Sequence, residues 1–196
     1  VLINRELARE DLVFLAGQDD DPFARYEAMQ ELAVAHLIEA AEGKASADGE
    51  AAMVEAFRAI LTDTALDNAM RGELMMLPSE TYLFEAMATD TRKADPGAIH
   101  AARQALKTAI GTACSSELGD LYGQCEAVAF DDPAGRGARK VKTQALVYLA
   151  ASAPDLAGEF AARQFDGADN MTDRQGAMMV LASLDTPERE ERLASF

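Results

Sequence analysis

Few side chains in this 196-residue sequence could ligate a metal or carry a proton near neutral pH: the imidazoles are His36 and His100, and the thiols are Cys114 and Cys125. His36 precedes Glu39 by three residues, a spacing that on a helix puts imidazole and carboxylate on one face, as in the Glu-x-x-His pairs of metal-carrying bundles. Those sites need a second such pair, and the sequence holds none. His100 has no acidic residue three or four positions further on, so both histidines read as structural. Two cysteines are too few for a disulfide framework or a thiolate zinc cage. If one continuous helix carried both, the rise per residue would hold them about 16 Å apart, beyond disulfide reach. They read as small buried hydrophobes in a reducing compartment, which points to a cytoplasmic location.

The signatures of self-contained catalytic sites are missing too. His-Glu-x-x-His, Gly-x-Ser-x-Gly, the phosphate-cradling P-loop and Gly-x-Gly-x-x-Gly do not occur. The sequence therefore nominates no catalytic, cofactor-binding or metal-ligating residue. Asp19-Asp20-Asp21 lacks the alternating ligands, central Gly and distant Glu of a calcium loop and reads as a solvated loop ending in a helix cap. Arg136, Arg139, Lys140 and Lys142 cluster at an expected helix start, where the macrodipole disfavours cations. They dock on an acidic neighbour, face water, or meet an external anionic partner. Met75-Met76 and Met178-Met179 recur at helical spacing and read as core filler.

A net charge of −16 repels a phosphate backbone, which excludes nucleic acid as a natural partner. No apolar run approaches the roughly 18 residues of a membrane span, and the first residues show no basic, apolar, small-residue order of a signal peptide. With 49% hydrophobic residues, the chain can bury a sizeable core.

The elements that hold these residues read as helices throughout. Asp21-Pro22, Asp95-Pro96, Asp132-Pro133 and Thr186-Pro187 each pair a capping side chain with a residue that needs no N–H, and Thr172 to Gln175 forms a capping box. Apolar positions recur every three to four residues, as in Val54, Phe57 and Leu61, or Ile99, Ala102, Leu106, Ile110, Ala113 and Leu121. The pattern predicts helices at 6–16, 22–41, 48–62, 66–76, 79–88, 96–121, 134–151, 155–164, 172–184 and 187–195. Only Val1 to Asn4 offers the tail of a strand. Ten helices joined by short loops make an all-α fold, an irregular superhelical solenoid of antiparallel hairpins of the armadillo or HEAT kind, without a strict repeat.

Several strings, taken in order, resemble one family. Asp21-Pro22-Phe23-Ala24-Arg25-Tyr26-Glu27-Ala28, Ala56 to Leu61, Leu77-Pro78-Ser79-Glu80, Asp95-Pro96 through Arg103, and Gln164-Phe165 with Asn170-Met171-Thr172-Asp173 are similar to segments of the C-terminal helical domain of bacterial aminopeptidase N, a zinc alanyl aminopeptidase of the gluzincin class. The run from Gln164 to Asp173 is the most specific. The resemblance implies that residues 1–10 link to a preceding domain and that 11–196 are the N-terminal part of that superhelical domain, cut short at the C-terminal end.

The same resemblance implies that zinc, His-Glu-x-x-His and the Gly-Ala-Met-Glu-Asn substrate clamp lie in other domains of a parent enzyme. Gly176-Ala177-Met178 echoes the clamp, but Met179 and Val180 replace its Glu and Asn. The expected role is non-catalytic: the domain caps the cavity, controls the access of peptide substrates, packs on the catalytic and β-sandwich domains, and is inactive alone. A free-standing helical scaffold that binds a partner chain is the rival reading. A cut end would leave Leu181, Leu184 and Leu193 partly uncovered and so favour self-association.

Overall fold

The structure, a computed structural model, describes residues 7–88 and 94–196. The possible strand at Val1 to Asn4, the first part of the linker at 1–10 and the first residue of the helix expected at 6–16 lie outside the described residues. Among the described residues there are eleven α-helices and no strand: α1 (Arg9–Gln18), α2 (Pro22–Ala41), α3 (Ala47–Thr62), α4 (Asn68–Leu74), α5 (Glu80–Met87), α6 (Pro96–Ala113), α7 (Ser115–Glu126), α8 (Gly135–Ser152), α9 (Pro154–Gly167), α10 (Met171–Ser183) and α11 (Pro187–Ser195).

The caps show why these segments start where they do. Asp21 accepts from Phe23 N at 3.0 Å and Asp95 from Gly97 N at 2.8 Å, so both expected Asp-Pro starts hold an orphan helix donor. Asp67 accepts from Ala69 N and Met70 N, and Ser79 from Tyr82 N. At α2's far end Gly43 has φ +70°, and Lys44 N donates to Glu39 O while Gly43 N donates to Ala40 O. Those two bonds form a Schellman stop, in which glycine tolerates the left-handed backbone.

Four expected features differ. Thr186 precedes α11 in the extended conformation expected of a cap, but its side chain accepts no hydrogen bond from the helix, and its buried Oγ1 has no hydrogen-bond partner among the described residues. Asp132 accepts from Ala134 N at 2.7 Å in a turn, and α8 begins only at Gly135, without a side-chain cap. The start near Thr172 is capped by Asn170, which accepts from Asp173 N. The single helix expected over 96–121 breaks at Cys114, whose φ −118° and ψ 24° leave the helical region. The bonds Cys114 N to Ile110 O and Leu118 N to Cys114 O carry the chain across the break. Periodicity missed it because the apolar stripe resumes in register, while Ser115 and Ser116 supply the short polar residues that favour a new start.

The chain divides into two compact units, one comprising residues up to Ile60 with Leu77–Leu106 and the other comprising Leu61–Met76 with Lys107–Phe196. In the first, α2 packs on α1 and α5, and Leu12, Met29, Leu32, Leu37, Phe57 and Leu83 are buried. In the second, α8 is central and packs against α4, α7, α9 and α10. Its Val141, Ala145, Tyr148 and Leu149 are almost wholly enclosed, as the expected stripe requires. Leu181 and Leu184 do not remain uncovered: they are 0% and 5% exposed, because α11 folds back onto both α9 and α10. Leu193 is 46% exposed.

Candidate functional site

Each chemistry-bearing residue has a defined place. His36 is buried on α2 with Nδ1 unpartnered, and burial is the main influence holding its pKa below the ordinary value. Glu39 pairs instead with Arg9 at 3.0 Å, so the i, i+3 pair is not a ligand pair. His100 Nδ1 lies 2.9 Å from Glu80 Oε1, a contact between residues twenty positions apart that local spacing could not reveal. That contact is the first cause of a lowered Glu80 pKa. Both cysteines are buried and outside any disulfide, and burial pushes the Cys125 thiol up, which disfavours the reactive thiolate.

The string Asp21 to Ala28 acquires a physical meaning here. Asp21 caps α2, and the buried Arg25 donates from Nε to Ala16 O at 3.1 Å, satisfying a carbonyl in the last turn of α1. In the same unit Arg103 Nε donates to Pro78 O at 2.8 Å. The string at Leu77 to Glu80 and the one ending at Arg103 are therefore two halves of one contact.

In the second unit the basic cluster is largely turned to the chain's own groups. Lys142 Nζ is 2.8 Å from Asp173 Oδ1 with both side chains nearly buried, Lys140 pairs with Glu73, and Arg139 donates to Phe130 O while lying 4.4 Å over its ring. Arg136 is exposed. An acidic neighbour thus takes Lys140 and Lys142.

Around Asp173 the polar groups form one connected set. Asn170 Nδ2 donates to Asp173 Oδ2, Gln164 Nε2 donates to Asp173 O at 2.9 Å, and Tyr122 O–H donates to Gln164 Oε1 and Phe160 O at 3.2 Å. Burial drives the Tyr122 phenol pKa far up, so it remains a donor. Phe160 stacks on Tyr122 with centroids 5.0 Å apart, and Arg163 sits over Phe160 while pairing with Glu126. This set unites the most specific string of the sequence, Gln164 to Asp173. Sequence reading missed Tyr122 and Lys142 as its partners, although both interrupt apolar stripes with a polar head.

The second unit also contains an open cavity of about 1130 Å³ whose walls come from the 61–73 segment, α7 and the start of α8. Asp63, Asp67, Glu73, Glu117 and Asp120 line it alongside Arg71, Arg136 and Lys140. Arg71 is buried and donates to Asn68 Oδ1 and Asp63 O, so it holds the wall together. Carboxylates outnumber cations here, and no group of three or more His, Cys, Asp or Glu suited to a metal occurs among the described residues. The arrangement can attract a cationic group and offers no assembled nucleophile or acid–base pair.

Comparison with known proteins gives these features a family. The chain is 33% identical over 204 residues to Aminopeptidase N of Caulobacter vibrioides, covering 100% of this chain and 22% of that protein. It is 28% identical to Aminopeptidase N of Escherichia coli, covering 95% of this chain and again 22% of the relative. The chain thus spans about a fifth of the length of these relatives. Among solved structures, aminopeptidase A of Legionella pneumophila, crystallised with aspartic acid, matches with a TM-score of 0.80 at 24% identity, over 98% of this chain and 23% of that one. The expected all-α class and the resemblance to part of bacterial aminopeptidase N both hold. Residues 9–196 match the family described as "Domain of unknown function (DUF3458_C) ARM repeats", and the chain belongs to that family of helical-repeat domains.

Proposed function

We propose that this chain is the non-catalytic C-terminal helical portion of a zinc aminopeptidase of the aminopeptidase N type, acting in the cytoplasm. In this reading 11–196 are the first part of its superhelical domain. The observation that carries the reading is similarity along 100% and 95% of this chain to only 22% of each relative, in a sequence that contains no His-Glu-x-x-His. Peptide-bond chemistry then belongs to the catalytic domain, and zinc is that domain's cofactor. This portion limits which peptides reach the cavity and packs on the catalytic and β-sandwich domains. Its charge of −16 and the carboxylates around the second unit's cavity favour the protonated amino terminus of an arriving peptide. No helix among the described residues is long and apolar enough to cross a membrane.

The complete reading frame provides the test. It is expected to encode His-Glu-x-x-His upstream, and the purified full-length protein should bind zinc and release N-terminal residues from short peptides while sparing folded proteins. A frame that starts close to Val1 would replace this reading with that of a helical scaffold for a partner chain.

A further inference from the structure

We propose that the groove between α1 and α3 in the first unit seats a basic amphipathic helix supplied by the remainder of the same, longer polypeptide. The groove encloses about 770 Å³ between one face of α1 and one face of α3. Gly17, Ala51, Ala52 and Ala59 keep its floor low, and a Cβ at Gly17 would already lie 3.2 Å from that of Ala59. Phe14 stands in the wall 65% exposed, an apolar surface for which the first unit offers no cover. Between Asp48 and Ala59 the α3 wall runs about 16 Å at helical rise, close to three turns of a partner helix.

Charge selects the occupant. Glu10, Asp48 and Glu55 line the groove without an ion-pair partner among the described residues, whereas its cation, Arg9, is engaged by Glu39 at 3.0 Å. Glu10 and Asp48 stand in first turns, where acids favour the helix dipole. Glu55 is mid-helix and gains nothing there. A purely apolar partner would desolvate three carboxylates without compensation, and a second copy of this chain would add more negative charge. A helix bringing Lys or Arg to its flanks restores their pairing.

Assigning the helix to the same polypeptide rests on the reading above, in which most of the protein lies outside this chain, since the relatives are spanned only to 22%. The test uses the full-length protein carrying Ala51→Cys, modified with benzophenone maleimide, illuminated, digested and mapped by mass spectrometry. Cross-links should fall on a Lys/Arg-rich amphipathic helix of the same molecule, and Glu55→Lys should lower their yield severalfold while Glu55→Gln lowers it less. Phe14→Ser, at an exposed position, gives a second reduction if the charge variant folds poorly.

Cross-links to another molecule, to an acidic or non-helical segment, or only within α1 and α3 would overturn the proposal. A yield indifferent to both Glu55→Lys and Phe14→Ser would do the same. The absence of a peptidase domain from the reading frame refutes the functional reading by sequence alone, separately from any cross-linking result.

Discussion

Lys142 and Asp173 show how much one pair of residues contributes here. Their side chains are 8% and 13% exposed and 2.8 Å apart, and Asp173 also anchors Asn170 and Gln164. Removing one partner of a buried pair leaves an uncompensated charge, so Lys142→Met should cost about 3–5 kcal/mol in urea unfolding. A loss below about 1 kcal/mol, the range of exposed pairs, would show that Asp173 is solvated. His36 gives a pH effect of defined sign. Burial, aided by Arg9 and opposed by Glu50 and Glu39, lowers its folded pKa below 6.5, so the native state holds fewer protons than the unfolded one. Stability is complete above about 6.5 and declines as pH falls through that value. The thermal midpoint should drop between about pH 7.5 and 5.5, and His36→Gln should flatten that slope; an unchanged slope would remove His36 as its source.

The packing of α4 on α8 turns on a glycine. A Cβ at Gly137 would lie 2.5 Å from Ala69 N and 2.8 Å from Asn68 C, both backbone atoms that cannot rotate away. In an exposed helix interior Ala gains up to about 1 kcal/mol over Gly, but overpacking costs about 1–3 kcal/mol. Gly137→Ala is therefore expected to destabilise. Gly123 on α7 has nothing within 4 Å of its Cβ position, so Gly123→Ala should stabilise by about 0.5–1 kcal/mol. Opposite shifts of the melting midpoint confirm the crossing, and two shifts of the same sign would contradict it. Sequence pattern alone did not reveal the difference, because both glycines sit inside helices and what separates them is what lies across from each.

For the whole molecule, charge opposes association. Leu181 and Leu184, two of the three leucines expected to be open at that end, are covered, while Met171, Met179, Leu193 and Phe196 remain 46–66% exposed. At −16 copies repel one another, and at about 1 M salt the screening length falls to about 3 Å. Light scattering of the 196-residue chain should therefore report a monomer at low ionic strength and weak association at high salt that Leu193→Glu abolishes. A single mass at every salt concentration would show that these side chains are too scattered to drive contact.

The sequence by itself determined the helical class and most helix starts, since period and capping are local: Asp21 and Asp95 cap where their side chains predict. It also marked Gln164 to Asp173 as special. Tertiary structure decided the rest. Which carboxylate meets His100, which one takes Lys142, whether Leu184 is covered, and where the long helix breaks at Cys114 depend on residues brought together from distant positions or on backbone angles that a continuous apolar stripe conceals. Periodicity specifies which face of a helix is buried; only packing specifies what that face meets.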